Sequence, residues 1–507
     1  MGKIVAGEPR RIVSFRVSDR LRSPTPMPQR STPRHVIVIG AGMAGLAAAE
    51  AASGDMAADG KPRVTVVESS GRAGGVLATV RRDGWLVERS ADTFLAARPE
   101  AIGIARRIGL EPEFVGVDPA VRRALIWGRG RAFPAPDGFR LLAPSLIGGI
   151  LGTPLLSAAG RLRVLAEPFV PVRRPPPGDD DESLEAFVVR RLGREAFERL
   201  VQPLAAGIWT ADPARLSMAA ACPEFLAMER ESGSLWRGER SRRRTADRAG
   251  AVAGARYGQF LTFAGGIETL PARLADVLRE RGVRFVHGSA AAVTRVPDGG
   301  WRVTFAAEEP TPLTADAVVI ATPAPAAARL LAGADPALSR DLAAIEYAGS
   351  AVVSLGFRRS DVAHPLDAAG MVVPRTAGRS ILAVSFSSAK FPGRAPPGCV
   401  LLRVFVGGAL DPEAVACDDS ALVDRARHEL ATLVGVRGEP LLEQVDRWHA
   451  AMPQYHVGHL GRVAAIEAAA ERLGGLALAG AAYRGVGIPQ VIASGRAAAE
   501  LVMRPGR

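Results

Sequence analysis

Short apolar runs separated by helix-length stretches set the rhythm of this chain. Val36-Ile-Val-Ile39 is a β-branched run that stops at Gly40, and Val64-Thr-Val-Val67 is a second that stops at Glu68. The alanine-rich stretch from Met43 is long enough for a helix, so the opening reads strand, glycine turn, helix, strand. Ser183–Leu192 has helical spacing, and Arg194–Leu204 continues it with Phe197, Leu200 and Val201 on one face. A turn and a helix are predicted over Phe260–Leu274, then strands at Val283–His287 and Ala291–Val296. Asp316–Pro323 reads as a buried strand ending in a turn, and its β-branched run suits a parallel sheet covered on both faces. Ser350–Phe357 and Leu401–Val406 alternate and predict a second sheet. Gly475–Gly480 reads as a strand and Ile492–Met503 as an alanine-rich helix. Arg174–Asp181, with three prolines and three aspartates, reads as an exposed linker. No internal repeat is visible.

Composition narrows this picture. A chain of 507 residues, 48% hydrophobic and 23% charged, can bury two or three sizeable cores. Cys222, Cys399 and Cys417 are too scattered for a disulfide framework or a zinc site, so a reducing cytoplasm is the default location. Half of the net charge of +12 lies in the first 34 residues, where Lys3 and seven arginines face only Glu8 and Asp19. This leader is read as a targeting peptide or as residues ahead of a true start at Met27. The basic run Arg240–Arg244 has no interleaved aromatics, reads as a solvated loop and argues against nucleic acid. Leu146–Ala159 is the most apolar window, but it is too short to span a bilayer and holds glycines and Pro154. It is expected in a core, with peripheral membrane contact or the lining of an apolar pocket as the alternatives.

The chemistry begins at the first turn. In Gly40-Ala-Gly42-Met-Ala-Gly45, the first glycine allows the turn and the second lets backbone approach a pyrophosphate. The third lets helix and strand pack closely, and the helix N-terminus meets the phosphate charge. Glu68, ending the second strand, can accept from ribose hydroxyls. An ordinary glycine-rich turn would require neither the preceding β-branched run nor that acid. The second block, Gly71-Arg72-Ala-Gly74-Gly75, goes beyond a nicotinamide-type fingerprint.

Three blocks carry a family resemblance. They are Gly40–Gly75 with Thr79–Glu88, then Leu200–Ser217 (Leu-Val-Gln-Pro-Leu-Ala-Ala-Gly-Ile-Trp-Thr-Ala-Asp-Pro-Ala-Arg-Leu-Ser), and last Arg447–His459 with Gly480–Pro489. Together, and in order over 35–505, they resemble the FAD-dependent protoporphyrinogen and coproporphyrinogen III oxidases of haem biosynthesis, within the amine oxidase-like flavoproteins. Met452-Pro-Gln-Tyr-His-Val-Gly-His459 is most similar to the bacterial coproporphyrinogen branch.

The resemblance implies an α/β protein. It would have a discontinuous Rossmann-like FAD-binding domain of the amine oxidase type (35–90, 255–325 and 471–507), a helical domain (91–225) and a sheet-containing substrate domain (226–254 and 326–470). It implies FAD contacts from Gly40, Ala41, Gly42, Met43, Ala44, Gly45, Glu68, Ser69, Arg72, Gly75 and Val76. It also implies contacts from Val293 on the adenine side, and from Trp448, Val486, Gly487 and Ile488 around the ribityl chain and ring. Arg98 would meet a substrate propionate, since its planar fork suits carboxylates. Many members have Gly-Pro where this chain has Ser90-Ala91, a departure beside the flavin.

The implied reaction removes six electrons from coproporphyrinogen III, with molecular oxygen reoxidising the flavin to give hydrogen peroxide. The cofactor carries that chemistry, and no catalytic general base or metal is required. His449, His456 and His459 have no carboxylate or cysteine at ligand spacing. Protoporphyrinogen IX is the alternative substrate. A carotenoid desaturase, an amine oxidase or a non-catalytic flavin or porphyrin carrier is more distant, because Tyr483 alone does not make an aromatic cage. The sequence leaves a homodimer open.

Overall fold

The computed structural model describes residues 34–54, 62–174, 181–248, 260–297 and 299–504. The leader expected at 1–34 lies outside the described residues except for Arg34, as does most of the linker at Arg174–Asp181.

Five parallel strands form the first sheet, in the order Arg284–His287, β2 (Arg63–Glu68), β1 (His35–Ile39), Ala317–Ile320 and Leu476–Leu478. Strands from opposite ends of the chain therefore lie side by side. One face is covered by helix α1 (Met43–Ser53), Thr269–Glu280 and the C-terminal helix Ile488–Met503. The other carries a three-stranded antiparallel sheet (Ala290–Arg295, Trp301–Phe305 and Leu313–Ala315) with helices Ala324–Leu331, Pro336–Ala343 and His459–Leu473. Double coverage explains why all five residues of β1 are buried. Each Val or Ile held there contributes roughly 1.5–3 kcal/mol relative to an exposed one. Strand order reverses between β1 and Ala317–Ile320, the crevice where open α/β sheets bind ligands.

The second sheet has seven strands, ordered Leu442–Pro453, Tyr347–Arg358, Cys399–Gly407, Ala383–Phe386, Gly370–Val372, Ala124–Gly128 and Arg131–Pro134. Helix Asp419–Val434 packs on it. The last two strands correct the expectation that 91–225 is helical. Leu125 and Trp127 face the second-sheet core while Ile126 and Phe133 face the helical core, a period of two too short to stand out in sequence. The hairpin Thr79–Arg82/Trp85–Glu88 joins the two bodies, because Trp85 and Val87 pack on Leu401 and Leu442.

Two further expectations are corrected. Arg240–Arg244 is not a loop but part of the helix Leu235–Arg248. Arginine is a good helix former, and buried Glu239 pairs with Arg242 one turn on and with Arg140. Leu146–Ala159 is only half core. Ile150, Leu155 and Leu156 are buried, but Leu146, Ile147 and Leu151 are 44%, 57% and 52% exposed. Among the described residues, no helix is long and apolar enough to cross a membrane. The helix predicted over Arg194–Leu204 continues to Trp209, with a π-helical stretch at Phe197–Val201.

Candidate functional site

β1 ends at Gly40, whose φ of 102° favours glycine. Its N–H donates to the Val67 carbonyl at 2.8 Å. A Cβ at Gly40 would lie 2.9 Å from the Ala321 carbonyl oxygen, and one at Gly45 would strike the Gly40 carbonyl. Both glycines are therefore required by packing. Gly42 differs: it caps the N-terminus of α1, and a Cβ there would meet nothing within 4 Å. Its open side adjoins a helix N-terminus, where unpaired amides and the helix dipole favour an anion. Met43 and Ala44 continue this turn and are buried.

Two further pieces close around the loop. Glu68 Oε2 accepts from the Ala41 N–H at 2.7 Å, and its Oε1 accepts from the Ser70 N–H and hydroxyl, both at 2.8 Å. Ser69 is exposed beside it. The Gly74 N–H donates to the Ala41 carbonyl at 2.8 Å, a parallel bridge joins Gly42 to Gly74, and a Cβ at Gly75 would be 3.2 Å from Gly42 Cα. Arg72 shapes this second block. Its guanidinium donates to the Ala73, Gly75 and Leu77 carbonyls and pairs with Glu268 at 3.1 Å. Glu268 in turn accepts from the Thr79 N–H at 2.9 Å. It stands in Gly265-Gly-Ile-Glu268, a signal that sequence reasoning passed over.

Val76 is 46% exposed, and its carbonyl accepts from the Ser90 hydroxyl. Ser90, at the departure from Gly-Pro, is thus tied to the second glycine block. Its carbonyl accepts from Arg403. Trp448 Nε1 donates to the Arg89 carbonyl at 2.9 Å, and Arg89 pairs with buried Asp446. In the strand pairing, His449, Ala450 and Ala451 bulge out opposite Gly349, next to Trp448. Asp92 completes the neighbourhood. Burial pushes its carboxyl up, but Lys390 at 2.6 Å and Arg403 at 3.3 Å override this and hold it at about 2. Burial raises Glu88 against hydrogen bonds from Thr79 and the Ile267 N–H. The Asp92 cluster was missed because its members are scattered along the chain.

Gly487 caps the C-terminal helix, Ile488 is buried in its first turn, and Val486 packs on the helical core. That helix crosses α1, where a Cβ at Gly495 would strike the Ala44 carbonyl. Val293 is fully buried on an edge strand. Arg98 caps the helix Pro99–Arg107 and is exposed, with no ion pair among the described residues. Its helix meets the nucleotide-loop body where Glu50 bridges Arg107 and Arg496. Tyr483 is 3% exposed in an apolar core. His449 is exposed, His456 lies 3.6 Å from Glu346, and His459 is buried.

The two glycine blocks, Glu68 and the Gly42 opening fit an FAD pyrophosphate and ribose, while Val76, Ser90 and Trp448 form a linked group beyond them. Residues 43–503 match the family described as flavin containing amine oxidoreductase. A coproporphyrinogen III oxidase of Propionibacterium freudenreichii subsp. freudenreichii is 35% identical over 527 residues, covering 96% of this chain and 95% of that protein. One from Bacillus subtilis (strain 168) is 32% identical over 467 residues, covering 92% and 97%. A solved structure from Exiguobacterium sp. 255-15, named provisionally as a protoporphyrinogen oxidase, superposes with a TM-score of 0.79 at 29% identity, covering 92% of this chain and 98% of that one.

Proposed function

This chain belongs to the flavin containing amine oxidoreductase family, on the branch of the coproporphyrinogen III and protoporphyrinogen oxidases, and from that premise we propose that it oxidises coproporphyrinogen III to coproporphyrin III. It is an FAD-dependent oxidoreductase. The observation that carries the choice of substrate is near-full-length similarity to two bacterial coproporphyrinogen III oxidases. Protoporphyrinogen IX is the second reading, supported by the name and close superposition of the Exiguobacterium structure.

Bound FAD supplies the acceptor for hydride leaving a saturated meso carbon. The chain's own residues position it. In this reading the Gly40–Gly45 loop and α1 N-terminus, with Met43 and Ala44, face the pyrophosphate through the open side of Gly42. Glu68 and Ser69 take the ribose hydroxyls. Arg72 holds the Gly75–Val76 turn in shape, since its donors are occupied by that turn. Val293 offers edge-strand backbone toward the adenine. Trp448 steadies the Arg89–Ser90 backbone, and Val486, Gly487 and Ile488 bring the C-terminal helix to the ring. The parallel-sheet body is assigned to the cofactor, and the seven-stranded sheet with the helices to the macrocycle.

No side chain is assigned as general base. Glu88 and Asp92, the carboxylates flanking Ser90, are already engaged by Thr79 and Lys390. The pyrrole proton passes to solvent in this account, and close placement of donor and acceptor supplies much of the rate. Arg98 is proposed to meet a propionate. Oxygen is the proposed final acceptor, the cytoplasm the proposed location, and exposed Leu146, Ile147 and Leu151 support peripheral contact with a membrane.

Anaerobically prepared coproporphyrinogen III and protoporphyrinogen IX, assayed side by side for porphyrin fluorescence in air, test the substrate. Coproporphyrin formation with hydrogen peroxide is expected. Reaction of the dicarboxylate alone would overturn the choice.

A further inference from the structure

Tyr455 sits where three parts of the chain meet, and it is 2% exposed. Its carbonyl accepts from the Ser217 N–H of the helical region at 2.7 Å. Its hydroxyl accepts from the Gly485 N–H at 2.8 Å and donates to the Ala481 carbonyl. Its ring stacks on His459, with centroids 4.1 Å apart and planes 15° apart. His459 Nε2 lies 3.0 Å from the Tyr483 carbonyl, and that contact requires the proton on Nε2. Two stacked side chains therefore hold the segment 481–485 at three backbone points.

That segment leads into Gly487, the cap of a 16-residue helix. Gly485 has φ of 140°, and a Cβ there would lie 2.7 Å from the Gln490 side chain. The backbone at Gly485 therefore excludes a side chain on the approach to the helix. A bridge between an N–H and a carbonyl needs a group that both accepts and donates, which a tyrosine hydroxyl does and a phenylalanine ring of similar shape does not. Burial raises the Tyr455 hydroxyl and lowers the His459 imidazolium, so both stay neutral around pH 7.

We propose that Tyr455 is a positioning residue for the flavin, its hydroxyl setting where the C-terminal helix presents its first amides to the isoalloxazine ring. This rests on the flavin reading above. Amides at a helix N-terminus favour negative charge, and the ring gains electron density on reduction. Withdrawing them makes reduction harder.

The test compares wild type with Tyr455→Phe for FAD retention, visible absorption and circular dichroism of the bound flavin, and midpoint potential. Leaving buried partners unpaired is expected to weaken FAD retention about tenfold. The redox equilibrium should shift against reduction by about tenfold, which is about 30 mV more negative for a two-electron couple. Trp301→Phe serves as the structural control. It removes a partly buried hydrogen bond from Trp301 Nε1 to the Gly474 carbonyl (3.1 Å) and should lower Tm without moving the potential. If Tyr455→Phe does not fold, His459→Asn, which weakens the Tyr483 tether, must shift the potential in the same direction by less. Unchanged flavin circular dichroism and potential in a folded Tyr455→Phe, or in His459→Asn where that substitutes, would overturn the proposal. A wild-type protein that never holds FAD would instead sink the functional reading.

Discussion

At the scale of single residues, the three glycines of the first loop make separable demands. Gly45→Val drives a side chain into the Gly40 carbonyl and should abolish folding, read as loss of soluble protein. Gly42→Val points into open space, so the protein should keep its Tm within a few degrees while FAD binding by equilibrium dialysis falls about tenfold or more. Equal loss of stability in both variants would show that Gly42 is a packing residue. Arg98→Gln should raise KM for coproporphyrinogen about ten- to a hundredfold and spare kcat, because a single charge-assisted contact of roughly 1.5–3 kcal/mol is removed. An unchanged KM would remove Arg98 from the site. The glycine loop was legible in sequence because its turn, helix start and acid follow one another in a single β-α-β unit. The partners of Asp92 were not, because Lys390 and Arg403 reach it only through the fold.

Elements show where sequence pattern suffices and where it fails. The central strands of the parallel sheet carry apolar runs because both faces are covered, and those runs announce them. Ala124–Gly128 escaped notice because each of its faces serves a different core. Helix Leu235–Arg248 escaped because its arginines look like a loop until the buried Glu239 is seen. The loop from Glu88 to Leu95 is pinned to the second sheet by Asp92. A carboxyl held at about 2 in the fold, against about 3.9 unfolded, contributes stability above pH 4 that is lost as pH falls toward 2. Asp92→Asn should therefore cost ~2 kcal/mol at pH 7 by denaturant unfolding, with a smaller difference from wild type near pH 2. A difference independent of pH would assign the loss to packing alone.

The whole molecule brings residues 35–39 and 476–478 into one sheet and places a helical body against a second sheet. Family order along the chain made that assembly legible, but the pairing of distant strands is a property of the fold alone. Acid sensitivity also belongs to this scale. Burial leads the lowering of His35, His364, His456 and His459. The unfolded chain binds protons at these sites more readily than the fold, so stability should fall as pH drops from 7 to 5. Thermal unfolding across that range should show a declining Tm, and a flat profile would contradict it. The account as a whole turns on electrons passing from a tetracarboxylate porphyrinogen to bound FAD. Mixing the purified, FAD-loaded protein with coproporphyrinogen III without oxygen and following its visible spectrum tests this most directly. The account predicts bleaching of the flavin band as the first two electrons leave the substrate, with the yellow colour restored and coproporphyrin fluorescence appearing once air is admitted. A flavin band that stays oxidised while coproporphyrinogen is present in excess would contradict it.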